Sequence, residues 1–174
     1  MDAQPKAGST AEKVAWVLGH CRNIAVVGLS PKPHRASFDV AQYMQSRGYR
    51  VIPINPNAVE VLGHRAFPNL IEAARHERID LVNCFRNSEE IAPIVDEALA
   101  VGARALWLQL GVRNDEAVRR ASQAGLVVVQ DRCLKIDHKA VAGGQRRTLG
   151  GASTASVQRP SPEPAQAPGA LGLQ

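Results

Sequence analysis

Apolar residues fall into two kinds of pattern along this chain. Short apolar-rich runs lie at residues 24–27, 50–54, 80–85, 105–108 and 126–129. Runs that are continuous rather than alternating predict strands covered on both faces. Between them, apolar residues recur every three or four positions, the helical period. Val14, Val17 and Leu18 mark a helix over 12–19. Phe38, Ala41, Tyr43 and Met44 mark one over 39–47, and Ile91, Ile94, Val95, Ala98 and Leu99 one over 88–101. Gly19, Gly48 and Gly125 stop helices, while Ser88 and Asn114 are good N-caps. Pro93 falls near a helix start, where its missing N–H costs little. A short helix over 70–75, another over 114–124 and an extended piece around 61–66 complete the series.

Strands and helices therefore alternate, which implies right-handed crossovers and a parallel sheet. The expected fold class is α/β, a three-layer Rossmann-like sandwich with a five-stranded parallel sheet. Three segments are expected: a flexible N-terminal arm over 1–10, the folded domain over 11–139, and a disordered Gly/Ala/Pro-rich tail over 140–174. From 143 to 174, six Gly and four Pro fill ten of 32 positions and no aromatic residue occurs. Such a segment buries too little apolar surface to offset the entropy of ordering it.

Composition narrows the function classes. With 45% hydrophobic and 21% charged residues in 174, the chain is expected to fold as one soluble domain with an appendage. No apolar run approaches the roughly 18 residues of a membrane span. The polar N-terminus reads as lacking a secretory signal. Three scattered cysteines are too few for a disulfide framework or a zinc ribbon. A cytoplasmic protein with no membrane partner is expected. The net charge of +5 includes +2 from the tail, and aromatic residues are only 4%, so nucleic-acid binding is not expected.

In a parallel sheet, ligands sit beyond the carboxyl ends of the strands, so the chemistry is sought there. After the first strand comes G-L-S-P-K-P-H-R-A-S, residues 28–37, leading into a helix. That is the position of a phosphate loop. Gly28 permits close backbone approach, Ser30 and Ser37 offer hydroxyls, Lys32 and Arg35 offer charge, and Ser37 is also a candidate helix cap. The alternative is a surface loop shaped by its two prolines. The segment is not a dinucleotide fingerprint: Ser30 and Pro33 stand where the second and third glycines belong. The second strand ends in Asn55-Pro56, where an NAD-binding fold generally offers a carboxylate to the ribose. Asn55 suits a ribose or base edge, with Pro53 and Pro56 as an apolar border, or it forms a plain turn.

Six segments in order resemble a known family. They are V-V-G-L-S-P-K-P-H-R-A-S, G-Y-R-V-I-P-I-N-P, E-V-L-G, D-L-V-N-C-F-R, A-L-W-L-Q-L-G-V and D-R-C-L-K-I-D-H. Together they resemble the small bacterial and archaeal CoA-binding domain proteins, whose domain is similar to the N-terminal domain of succinyl-CoA synthetase α subunits. The resemblance runs from Thr10 to His138. It implies coenzyme A or an acyl-CoA as ligand. The loop with Gly28, Leu29, Ser30, Lys32, Arg35 and Ser37 would hold phosphates, and Pro53, Asn55 and Pro56 would line the adenosine. Phe85 and Arg86 would contact the nucleotide or the start of the pantetheine arm, with Gln109 and Gly111 farther along it. Arg86 has an alternative partner in Glu89 or Glu90.

Cys133 sits beside Arg132 and near Lys135, and positive neighbours favour a thiolate. Facing the pocket, it would form a mixed disulfide with CoA. The alternative is a half-buried cysteine at a strand end. Cys84 and Trp107, inside strands, read as core. His20, His34, His64, His76 and His138 are scattered, and no metal or catalytic constellation is expected. Asp131 and Asp137–His138 form either a small acid–base group or salt bridges. The leading expectation is a non-catalytic CoA-binding, sensing or carrier protein. The alternatives are a small enzyme or subunit acting on CoA or a nicotinamide cofactor, and a redox switch.

Overall fold

The computed structural model describes residues 3–149, with side chains through 145. Six helices and seven strands follow one another as α1 (Thr10–His20), β1 (Asn23–Val27), α2 (Ala36–Ser46), β2 (Arg50–Ile54), β3 (Glu60–Val61), β4 (His64–Arg65), α3 (Leu70–Ala74), β5 (Leu81–Cys84), α4 (Ile91–Ala100), β6 (Ala105–Leu108), α5 (Asp115–Gln123), β7 (Val127–Val129) and α6 (Leu134–Leu149). A 3-10 turn over Ser88–Glu90 leads into α4. The main sheet is parallel throughout, in the order β2-β1-β5-β6-β7, and β3 and β4 form a separate antiparallel pair. The expected five-stranded α/β sandwich is present.

The continuous apolar strands are covered on both faces. Along β1, Ile24 and Val26 face a core shared with α1, α2 and α6. Ala25 and Val27 face the other core, built with α3, α4 and α5. Trp107 is fully buried on the first face, and its indole N–H donates to the Arg132 carbonyl at 2.8 Å. Cys84 is fully buried on the second. Pro53 lies within β2, which is a sheet edge, so its missing N–H breaks no ladder there.

Several boundaries differ from the sequence reading, for local reasons. Helix α1 starts at Thr10 because Ser9 and Glu12 form a reciprocal capping box. Helix α2 starts at Ala36 with Arg35 at the N-cap, so Ser37 is not the cap but a buried residue of the first turn. The cap before α4 is Asn87, whose N–H donates to Glu90 at 3.0 Å, rather than Ser88. The extended piece near 61–66 is the β3–β4 hairpin. Helix α6 was not anticipated, and the boundary drawn at 139 falls inside it. Its anchor is Leu134, fully buried in the first core. The expected disorder beyond 149 concerns residues outside those described. Among the described residues, no helix is long and apolar enough to cross a membrane.

Candidate functional site

Strand order defines a crevice. The chain steps from β1 outward to β2, then returns to the other side of β1 with β5, so the crossovers diverge above β1 and β5. Gly28 follows β1 at that point with a φ of +82°, a conformation that disfavours a side chain. A Cβ there would stand 2.6 Å from the Phe85 carbonyl oxygen and 3.3 Å from the Arg86 Nε. Only glycine allows the loop and the end of β5 to approach this closely.

Beyond Gly28 the loop folds back on the first turn of α2. The Ser37 hydroxyl accepts the Ser30 N–H at 3.0 Å, and the Ser30 hydroxyl accepts the Lys32 N–H at 3.1 Å. The Asn55 amide donates to the Leu29 carbonyl at 2.9 Å, clasping the loop to the end of β2, while its oxygen accepts the Asn57 N–H at 2.8 Å. These bonds shape a concavity of about 390 Å³ lined by Gly28, Ser30, Lys32, Arg35, Ser37 and Phe85. Arg35, at the N-cap of α2, makes no side-chain capping bond, so the first-turn N–H groups lack the side-chain acceptor that Ser9, Asn69 and Asn114 supply to other helices.

Charge converges on the same place. Lys32, Arg35 and Arg86 make no ion pair among the described residues. Neither expected alternative partner of Arg86 is used: Glu90 is engaged with the Asn87 N–H, and Glu89 makes no ion pair among the described residues. The one carboxylate in the first turn of α2, Asp39, is neutralised by Lys135 of α6 at 2.8 and 2.9 Å. An anion at this helix end therefore meets backbone N–H groups and free cations, with the nearby negative charge cancelled.

Two further hollows flank this concavity, one on each side of the sheet. One, of about 410 Å³, lies between Val27, Ile54, Pro56, Arg86 and the starts of α3 and α4. The other, also about 410 Å³, is lined by Val40, Phe85, Arg86, Gln109, Leu110, Val112, Cys133 and Ile136. Four expected site residues lie outside all three. Leu29 is fully buried, Pro53 is buried in β2, and Asn55 is occupied by its clasp. Gly111 is exposed, and its N–H donates to the Asp131 carboxylate at 2.8 Å. The sequence reading missed the walls that α3, α4 and α6 provide. Pro68, Asn69, Pro93 and Ile94 lie outside the six quoted segments, Ile136 lies within the last of them without a polar group to mark it, and only the packing of those helices brings them to the strand ends.

The thiol and acid–base candidates separate clearly. Cys133 is half-buried and lines the second flanking hollow. Its cationic neighbours are already committed: Arg132 grips Asp137 through two contacts of 2.7 Å, and Lys135 holds Asp39. Burial pushes the Cys21 thiol up to about 12, and it pushes the fully buried Cys84 thiol up as well. Asp131 bonds the Gly111 N–H and Arg113, Asp137 bonds Arg132, and His138 Nδ1 lies 2.9 Å from the Tyr43 hydroxyl. These three therefore form separate structural links rather than one acid–base group. No cluster that could hold a metal ion occurs among the described residues.

A family model described as a CoA binding domain matches residues 22–139. The YneT protein of Bacillus subtilis (strain 168) is 40% identical over 126 residues, covering 72% of this chain and 92% of that one. The structure of a hypothetical protein from Pyrococcus horikoshii OT3 is 34% identical with a TM-score of 0.74, covering 82% of this chain and 99% of that one. An acetyl-coenzyme A synthetase from Ca. Korarchaeum cryptofilum shares the fold at 23% identity and a TM-score of 0.58, over 67% of this chain and 27% of that one. The family model spans more than half of the chain and the Bacillus subtilis relative is covered almost end to end, so the chain belongs to the family of CoA-binding domain proteins.

Proposed function

We propose that the protein binds coenzyme A or an acyl-CoA as a non-catalytic carrier, sensor or sequestering module. The observation that carries this reading is the α2 N-terminus. It lacks a capping side chain, faces Gly28, and has Lys32, Arg35 and Arg86 close by without carboxylate partners. Phosphate oxygens complete that set of donors. The hollow with Gln109 and Cys133 then suits the amide-bearing arm, because its lining is mainly apolar and contains no carboxylate. A nicotinamide dinucleotide is disfavoured: the residue after β2 is Asn55, whose amide is spent on Leu29, where such a fold generally offers a carboxylate to a ribose hydroxyl.

Calorimetric titration with CoA tests the reading. Arg35→Ala weakens binding by about 1.5–3 kcal/mol, the range for a hydrogen bond to a charged group. The loss is smaller for dephospho-CoA if Arg35 serves the 3′-phosphate and equal if it serves the diphosphate. Unchanged affinity for both ligands removes Arg35 from the site.

A second reading is favoured by the position of Cys133 in the arm-side hollow. Here the Cys133 thiolate attacks CoA disulfide, forming a protein–CoA disulfide and releasing one CoA thiolate, with the cysteine proton passing to solvent. Mass spectrometry after incubation with CoA disulfide is expected to find one adduct that reductant removes. An adduct that persists in Cys133→Ser rules this reading out.

A further inference from the structure

Two large apolar side chains stand in water at the hollow that Cys133 lines. Leu110 is 67% and Ile136 62% exposed, and both line it together with Val40, Phe85 and Val112. Single exposed apolar residues need no explanation. Here two of the four large apolar residues exposed among the described residues belong to one hollow and come from two different elements. Apolar surface gathered in this way marks a binding groove.

Local structure holds each of them out. Leu110 is the second residue of a turn closed by the Val112 N–H on the Gln109 carbonyl at 2.9 Å. Gly111 follows with a φ of +86°, as the third place of a type II turn requires, and its N–H is held by Asp131. Ile136 lies in the first turn of α6. Buried Leu134 and buried Asp137, the latter gripped by Arg132, fix the inward face of that turn, and the helical period leaves Ile136 on the outward one.

The hollow is continuous with the phosphate concavity, since Ala36 and Phe85 line both. Its lining holds no carboxylate, and the one cation in it, Arg86, stands beside Gly28 on the phosphate side. The other cations near the mouth are committed: Lys135 to Asp39, Arg132 to Asp137, and Arg113 to Asp115 and Asp131. An arm ending in a free thiol would leave Leu110 and Ile136 in water. An aliphatic group on that thiol would cover them, and each methylene so buried is worth about a fourfold gain in affinity.

We infer that Leu110 and Ile136 form an acyl subsite, and that the ligand is an acyl-CoA whose acyl group is an uncharged aliphatic chain. The inference rests on the CoA-binding reading and chooses the thioester over the free thiol. It opposes the disulfide reading, because an S-acylated arm has no thiol to exchange with Cys133. A carboxylate-ended acyl group is disfavoured, since it would lose water at the mouth without gaining a free cation.

The test is calorimetric titration of the full chain with CoA, acetyl-CoA, butyryl-CoA, hexanoyl-CoA and succinyl-CoA. Affinity is expected to rise about twofold to fourfold per methylene from acetyl to hexanoyl. Succinyl-CoA, equal to butyryl-CoA in chain length, is expected to bind about tenfold more weakly than butyryl-CoA. Leu110→Ser and Ile136→Ser alter exposed positions, and the readout in each is the ratio of hexanoyl-CoA to CoA affinity, which cancels any loss in the arm or the fold. That ratio is expected to fall about threefold or more in each variant. Affinity independent of chain length, succinyl-CoA binding as tightly as butyryl-CoA, or a ratio unchanged in both variants overturns the inference while CoA binding stands. Sedimentation that finds a dimer dissociated by both variants, with the ratio unchanged, overturns it too and assigns the patch to a second copy of the chain. Failure of wild type to bind any of the five ligands overturns the underlying reading instead.

Discussion

At the residue scale, two side chains with similar surroundings in sequence have opposite electrostatic fates. Arg86 and Arg132 each follow an apolar strand. Arg132 is bound by Asp137 through both guanidinium arms, whereas Arg86 has no carboxylate partner among the described residues. The difference makes Arg132 a strut for α6 and leaves Arg86 available to an anion. His138 offers a third case. Its ring meets the Tyr43 and Tyr49 rings edge-on, and burial, then Arg47 and Arg22, hold its pKa below the ordinary 6.5. The unfolded chain therefore takes up this proton at higher pH than the folded one. The associated stability is complete above pH 6.5 and is lost as pH falls through the lowered folded value. Thermal unfolding across this window should show a steeper loss on the acid side for wild type than for His138→Gln. Superimposable pH profiles would remove His138 from the account.

At the scale of elements, α2 carries the main tension. Its N-cap, Arg35, has the extended backbone that a capping residue needs, with φ −79° and ψ 142°, but a side chain that cannot accept from the first-turn N–H groups. Local stability alone would favour Ser, Asp or Asn there, as Ser9, Asn69 and Asn114 show elsewhere in this chain. Arg35→Asp is therefore expected to stabilise the protein by about 0.5–2 kcal/mol in denaturant unfolding. The same change places negative charge where phosphate is proposed to sit, so CoA affinity should collapse. Loss of both stability and affinity would mean that Arg35 holds the fold and not the ligand. Helix α6 shows the converse relation between sequence and structure. Gly143 and Gly144 fall inside it, each costing about 1 kcal/mol relative to Ala in a helix. Tertiary anchors compensate. Leu134 is buried in the α1–α2 core, and Lys135 is paired across to Asp39.

At the scale of the whole molecule, one ligand is proposed to span the ends of β1, β5 and β6 with α2 and α6, so binding should stabilise the fold as a unit. At about a hundredfold excess over Kd, mass action adds about 2.7 kcal/mol, or roughly 5–10 °C in Tm for a domain of this size. Scanning fluorimetry with CoA should show that rise, and NADH at equal concentration should not; equal shifts from both would undo the ligand assignment. The five strands, the crossover helices over 39–47, 88–101 and 114–124, and the glycine-led turn at Gly28 were legible in the sequence. Periodicity, caps and turn residues act over a few positions, and the nearest neighbours nearly decide them. Strand order, the freedom of Arg86, the clasp of Asn55 on Leu29 and the Lys135–Asp39 pair were not legible. Those two links join residues 26 and 96 positions apart, and such partners are chosen by how the layers pack rather than by local pattern. The sequence by itself determined that there would be a parallel sheet with a glycine-led loop between its first strand and the next helix. Only the tertiary structure decided that α3, α4 and α6 would wall the crevice on both sides, because side chains distant in the chain become neighbours only when two cores close over one sheet.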